Sequence, residues 1–97
     1  MNVKYSKSFK KSYIKLSGKV QKSVTDTIRE VIESSDIEDL TDCKKLKGFN
    51  HSYRLRIGNL RAFFILRFEG NTVFFEYLVS RGEAYSKKIL GELQKKD

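Results

Sequence analysis

Residues 51–85, HSYRLRIGNLRAFFILRFEGNTVFFEYLVSRGEAY, decide how the rest of the chain is read. Three runs of aliphatic, aromatic and β-branched residues are separated by Gly58-Asn59 and Gly70-Asn71. Both pairs accept the positive φ that two-residue hairpin turns require, so the stretch predicts a three-stranded antiparallel meander. The turns also set a register. Ile57 faces Leu60, so Arg56 pairs with Arg61 and Arg54 with Phe63. Across the second turn Glu69 faces Thr72, so Ile65 pairs with Glu76, Phe63 with Leu78 and Arg61 with Ser80.

Side chains alternate between the faces of a strand. One face therefore collects Tyr53, Leu55, Ile57, Leu60, Ala62, Phe64, Leu66, Phe68, Val73, Phe75, Tyr77 and Val79, and needs a cover. The other collects Arg54, Arg56, Arg61, Phe63, Ile65, Arg67, Phe74, Glu76, Leu78 and Ser80: a basic surface with an aromatic and aliphatic floor. Like charges directly opposite cost a few tenths to about 1 kcal/mol. Arg56 against Arg61 incurs that cost, which marks the face as a working surface; ordinary solvated arginines are the plainer alternative.

Upstream, Asn2-Val3-Lys4-Tyr5 alternates and reads as a short first strand. Ser6 then caps a helix with Phe9, Tyr13 and Leu16 on one side. Gly18 reads as the turn into a second helix bearing Val20, Val24, Ile28 and Val31. This helical hairpin is the expected cover for the apolar face. The acidic stretch from Ser34 to Asp42 reads as a connecting loop with Ile37 and Leu40 tucked inward, and Lys44 to Phe49 leads into the sheet. Downstream, Ile89, Leu90 and Leu93 give a C-terminal helix its apolar stripe. Strict alternation puts Arg81 on the apolar face, whereas a turn at Gly82 lets it swing to the basic one. The expectation is an α+β fold in a single domain over residues 1–97.

The 97 residues carry twenty Lys+Arg against twelve Asp+Glu, a net charge of +8. Such a field attracts polyanions, nucleic acid first. With 39% hydrophobic and 12% aromatic residues the chain can build one core, burying about 60–65% of its unfolded surface. No apolar run is long enough to span a membrane and none reads as a signal peptide. Cys43 is the single cysteine, which excludes an internal disulfide and a cysteine zinc site and suits the cytoplasm.

Arginines on adjacent strands, an aromatic floor and a nearby tyrosine suit a single-stranded polyanion, with guanidinium forks on phosphates and bases on rings. Metal-ligand spacings, a phosphate-cradling glycine loop and a nucleophile elbow are all missing. Phosphate chemistry here would thus be metal-free RNA cleavage. The 2′-OH would attack phosphorus while the protein aligns it and stabilises the charged phosphorane. Arginines suit the charge but stay protonated, leaving Glu76, Tyr85 and His51 as proton-transfer candidates. Glu76 pairing with Arg61 or Arg67, and His51 as a partly buried structural residue, are the alternative readings.

Leu46-Lys47-Gly48, then Tyr53-Arg54-Leu55-Arg56-Ile57-Gly58-Asn59-Leu60-Arg61, and finally Val79-Ser80-Arg81-Gly82-Glu83-Ala84-Tyr85 resemble the motifs of the RelE/ParE superfamily of toxins from type II toxin–antitoxin systems. The order strand, helical hairpin and meander is similar too, so the resemblance covers essentially the whole chain and implies a RelE-like microbial RNase fold. RelE-like members are metal-free endoribonucleases that cut messenger RNA in the ribosomal A site; ParE-like members poison DNA gyrase. The favoured implication is a ribosome-dependent mRNA interferase without cofactor, neutralised by a cognate antitoxin. The alternatives are a gyrase inhibitor and a non-catalytic RNA-binding module. Carried over by position, Arg61, Arg81 and Tyr85 are catalytic, with Glu76 added from the basic face. Arg54, Arg56, Arg67, Phe63 and Lys47 bind RNA. In RelE the pair at 54 and 56 is lysine, and Ser80 stands where many relatives have histidine, removing one proton-transfer group.

Overall fold

The β-forming runs assemble into one mixed sheet in a computed structural model that describes residues 1–68 and 71–97. Its strands are β1 (Asn2–Tyr5), β2 (Cys43–Lys45), β3 (Ser52–Ile57), β4 (Leu60–Arg67) and β5 (Thr72–Ser80), in the order β1-β5-β4-β3-β2. Strand β1 runs parallel to β5, and the other pairs are antiparallel. The helices are α1 (Lys7–Ile14), α2 (Gly18–Glu33) and α3 (Lys87–Lys96), with a single 3-10 turn at Ile37–Asp39.

Each helix begins on a serine whose hydroxyl accepts a first-turn amide. Ser6 takes Phe9 N at 3.0 Å, Ser17 takes Val20 N at 3.5 Å and Ser86 takes Ile89 N at 3.3 Å. A cap of this kind stabilises a helix by about 1 kcal/mol. Gly18 is thus the first residue of α2 rather than the turn before it. The Ser6 hydroxyl also donates to Glu76 O at 2.6 Å, tying the start of α1 to β5. The helical hairpin covers the first face as expected. Phe9, Val24 and Val31 pack with Leu55, Ala62, Phe64, Val73 and Phe75.

The β3–β4 register matches the expectation at every position: Ile57 with Leu60, Arg56 with Arg61 and Arg54 with Phe63. Gly58 supplies the turn with a φ of +57° that a side chain would strain. The β4–β5 register differs. Phe63 pairs with Tyr77 and Phe64 with Phe75, so Glu76 is an extra, unpaired residue, a β-bulge. Arg61 faces Val79, not Ser80, and Ile65 faces Phe74, not Glu76. The expected pairing of Glu69 and the Gly70 half of the second turn lie outside the described residues. Beyond the bulge, parity inverts: Leu78 joins the hairpin-side core, while Tyr77 and Val79 turn to the second face.

The second face is not open. Leu93, Ile89 and Leu90 of α3 lie over Phe63, Ile65 and Tyr77, with Leu46 and Ala84, forming a second core. The aromatic and aliphatic floor is therefore interior. Strand β2, expected only as a lead-in, adds an edge next to β3, with Lys44 opposite Arg54. No helix among the described residues is long and apolar enough to cross a membrane.

Candidate functional site

Because α3 covers only part of the second face, the remainder forms a cleft of about 210 Å³ lined by Lys44, Lys45, Leu46, Lys47, Arg54 and Tyr85. Lys44 and Arg54 are cross-strand neighbours. Their like charges repel across adjoining strands, and the cleft gathers four cationic side chains without one carboxylate in its lining. Arg54 Nε is buried and has no hydrogen-bond partner among the described residues. A buried donor left unpaired costs about 1–3 kcal/mol.

Tyr85 stands at the wall of this cleft. Its turn is anchored by Ala84, which is fully buried in the second core, and by Arg81 N donating to Asn59 O at 2.8 Å. The ring meets Phe63 edge-on, with centroids 6.1 Å apart, and remains 53% exposed. Phe63 itself is 0% exposed. No base can stack on it, and its place is beneath Tyr85 as support. That corrects its expected role as an RNA-stacking residue.

Three further arginines collect at the β3–β4 turn. Arg56 forms an ion pair with Asp42 at 2.8 Å, both side chains about half exposed. Arg81 is exposed in the turn that follows β5 rather than on the apolar face. Arg61 is only 8% exposed and donates through Nη1 to Gly58 O and Leu60 O, each at 2.9 Å. It braces the turn in this structure, and the expected repulsion against Arg56 is relieved because Arg61 folds onto carbonyls while Arg56 reaches Asp42.

The structure does not bring Glu76 and Arg67 to the cleft. Glu76 pairs with Lys96 Nζ at 3.1 Å and its side chain is 14% exposed. The Arg67 guanidinium donates to Lys96 O. Both line a separate hollow with Ile65, Phe74 and Lys96. Arg67 lies six positions along β4 from Arg61, about 20 Å at strand rise. The physical reason is the bulge with α3: the carboxylate turns to the helix's C-terminal end instead of across the sheet. His51 lies near that end as well. Its backbone N donates to Asp97 Oδ1 at 2.7 Å and the residue is exposed, not partly buried.

Asp97 organises this far end. Its carboxylate accepts from Asn50 N at 2.6 Å, His51 N at 2.7 Å and Ser52 Oγ at 2.7 Å, fastening the end of α3 to the start of β3. Burial alone would raise its pKa. The hydrogen bonds from Asn50, Ser52 and His51, with the charge of His51, outweigh burial and hold it below the ordinary value. Lys44 and Lys45 are the cleft residues that sequence reasoning missed. A three-residue strand is too short to show a period, and only pairing with β3 gives Lys44 its face.

No family model matches the chain. It is 33% identical over 86 residues to toxin RelE3 of Methanocaldococcus jannaschii, spanning 88% of this chain and 96% of that protein. A chain of the RelB-RelE antitoxin–toxin complex from Methanococcus jannaschii superposes with a TM-score of 0.71 at 28% identity, covering 84% of this chain and 94% of that one. The free form of an E. coli RelE toxin mutant gives 0.72 at 24% identity over 98% of this chain and 95% of that one, a likeness of fold. A sheet with a helical hairpin on one face and a basic cleft on the other is thus the architecture of a small toxin of a toxin–antitoxin system. The chain belongs to the RelE toxin family.

Proposed function

We propose that the protein is a type II toxin that cleaves messenger RNA in the ribosomal A site without a metal, works in the cytoplasm, and is neutralised by a cognate antitoxin. The observation that carries the reading is the cleft lining: Arg54 with Lys44, Lys45 and Lys47, beside Tyr85 and without a carboxylate. The antitoxin is supported by relatives solved as RelB-RelE complexes.

The chemistry follows from what such a cleft can do. The 2′-OH attacks the adjacent phosphorus, the bond to the 5′-oxygen breaks, and a 2′,3′-cyclic phosphate and a 5′-OH result. Arg54 donates to the phosphorane oxygens, where the charge grows most. Lys44 and Lys47 hold flanking phosphates, and Tyr85 orients the sugar or the base beside the scissile bond. Arg56 and Arg81 extend the positive field at the rim, and Arg61 adds its charge while bracing the turn between β3 and β4. The proton of the 2′-OH has no strong base among these groups, since arginine and lysine are charged at neutral pH. In-line alignment must carry more of the barrier, and correct orientation alone supplies about 7–11 kcal/mol in good cases. A ribosome that holds the mRNA strand provides that alignment.

The test is direct. Purified protein added to a translating extract yields mRNA ends mapped to the A-site codon, while gyrase supercoiling continues unchanged. Supercoiling that stops with mRNA intact would reverse the reading. Arg54→Ala lowers the cleavage rate by about 10²–10³, the cost of losing one preorganised donor.

A further inference from the structure

The first 25 residues contain seven lysines, no arginine, and no aspartate or glutamate. Lys7, Lys10, Lys11 and Lys15 recur along α1 and its C-cap at the spacing of one helical stripe. All four are exposed, and Phe9 is buried on the other side of the same helix. Lys19, also exposed, continues the stripe into the first turn of α2. From Lys7 to Lys15 the stripe is about 12 Å long. None of these five lysines joins an ion pair among the described residues, where the pairs are Lys22–Asp26, Arg29–Asp26, Arg56–Asp42 and Lys96–Glu76.

Helix physics argues against this arrangement. Lys7 with Lys11, and Lys11 with Lys15, are like charges one turn apart and repel. Lys7 and Lys19 stand in the first turns of their helices, at the positive end of the dipole, and neither first turn has an acid. A face that served only solubility would mix signs, as α2 does further on with Lys22, Asp26, Arg29 and Glu30. Local rules broken together, with no packing gain, point to function.

The stripe lies across the sheet from the cleft, because α1 packs on the hairpin-side core and the cleft opens on the second face. A single strand in the cleft does not pass over it. The side chains narrow the occupant. The cleft joins Arg54 to Lys44, Lys45 and Lys47 and has Arg56, Arg61 and Arg81 at the neighbouring turn, whereas the helical stripe is lysine alone. Ammonium groups on flexible stems are swivelling point charges that suit a regular phosphate array and specify no base. Double-helical RNA offers that array, recognised by shape and backbone. We infer that the lysine stripe of α1 and the start of α2 docks the phosphate backbone of double-helical RNA, gripping structured RNA on one side while the cleft works on a single strand on the other. This rests on the reading of the protein as RNA-directed.

The experiment titrates a blunt, fluorescent RNA duplex against the full chain over a range of salt. A variant with Lys7→Gln, Lys10→Gln, Lys11→Gln and Lys15→Gln should bind at least about tenfold more weakly. Its log-affinity against log-salt slope should flatten by about 2–4, close to one for each phosphate that is no longer neutralised. The four Lys→Arg changes should keep the parent's affinity, and Arg54→Ala should leave duplex binding intact. The Gln variant should melt no lower than the parent, since repulsion on α1 is relieved. Unchanged affinity and slope in the Gln variant would overturn the inference. So would a parent that ignores the duplex but binds a poly-glutamate peptide through these lysines, which assigns the stripe to an acidic protein. Ribosomal cleavage by the same samples separates the two claims. Cleavage without duplex binding removes only the docking surface, and duplex binding without cleavage removes only the nuclease reading.

Discussion

Arg54 is the one arginine in the lining of the cleft. Its buried, unpaired Nε is a standing cost in the free protein. Arg54→Ala should therefore leave stability unchanged or slightly higher in urea unfolding while removing cleavage. A variant that unfolds several kcal/mol more easily would mean that Arg54 holds the fold instead. Phe63 makes the opposite case. It is fully buried between the sheet and α3, so Phe63→Ala should cost about 3–5 kcal/mol of stability. A variant with parental stability and weakened RNA binding would restore Phe63 as a stacking residue. Cys43 is pushed up to about 11 by burial, so little of it is thiolate near neutrality. Iodoacetamide near neutral pH should label the native protein far more slowly than the urea-unfolded chain; equal rates would contradict that burial.

At the scale of elements, α3 separates what could be read in the sequence from what could not. The β3–β4 hairpin was legible because Gly58-Asn59 leaves a two-residue turn one register only. The bulge in β5 was not, because a glutamate between Phe75 and Tyr77 looks like any outward-facing strand residue. That one extra residue reverses the faces of Tyr77, Leu78 and Val79. The apolar stripe of α3 was visible, but not where it lands. A face holding both Phe63 and Ile65 needed a cover, and that was the missed signal. The far end of α3 is fastened by Asp97, whose folded pKa lies below its ordinary value of 3.8. A depressed carboxylate stabilises the fold above the unfolded pKa, and the contribution disappears as pH falls through the folded value. Asp97→Asn should lower Tm at neutral pH and make no difference in strong acid, below the folded pKa, compared by thermal melts under both conditions. A gap of the same size in both would remove the ionic clamp.

Across the whole molecule, charge is sorted by sequence and by side. Residues 26–42 hold seven of the twelve acids, between a lysine-only segment and the arginine-rich sheet. The positive charge thus falls on the α1–α2 stripe, on the sheet, and on α3 with Lys87, Lys88, Lys95 and Lys96, and that division, unlike the register of β5, can be seen in the sequence. What the sequence alone could not do was aim the charges. Of the nine residues it proposed for the site, Arg54, Lys47 and Tyr85 line the cleft, while Arg56, Arg61 and Arg81 gather at the neighbouring turn. Glu76 and Arg67 belong to the end of α3, and Phe63 to the interior. The cleft has charge and no base, so its activity should depend on a partner that aligns the RNA. The most direct measurement incubates one mRNA with the protein, either free in buffer or held in the A site of a programmed ribosome, and maps its ends by primer extension. Cleavage on the ribosome only, lost in Arg54→Ala, is the predicted result. Equal cleavage of free mRNA, or undiminished cleavage by Arg54→Ala, would contradict it.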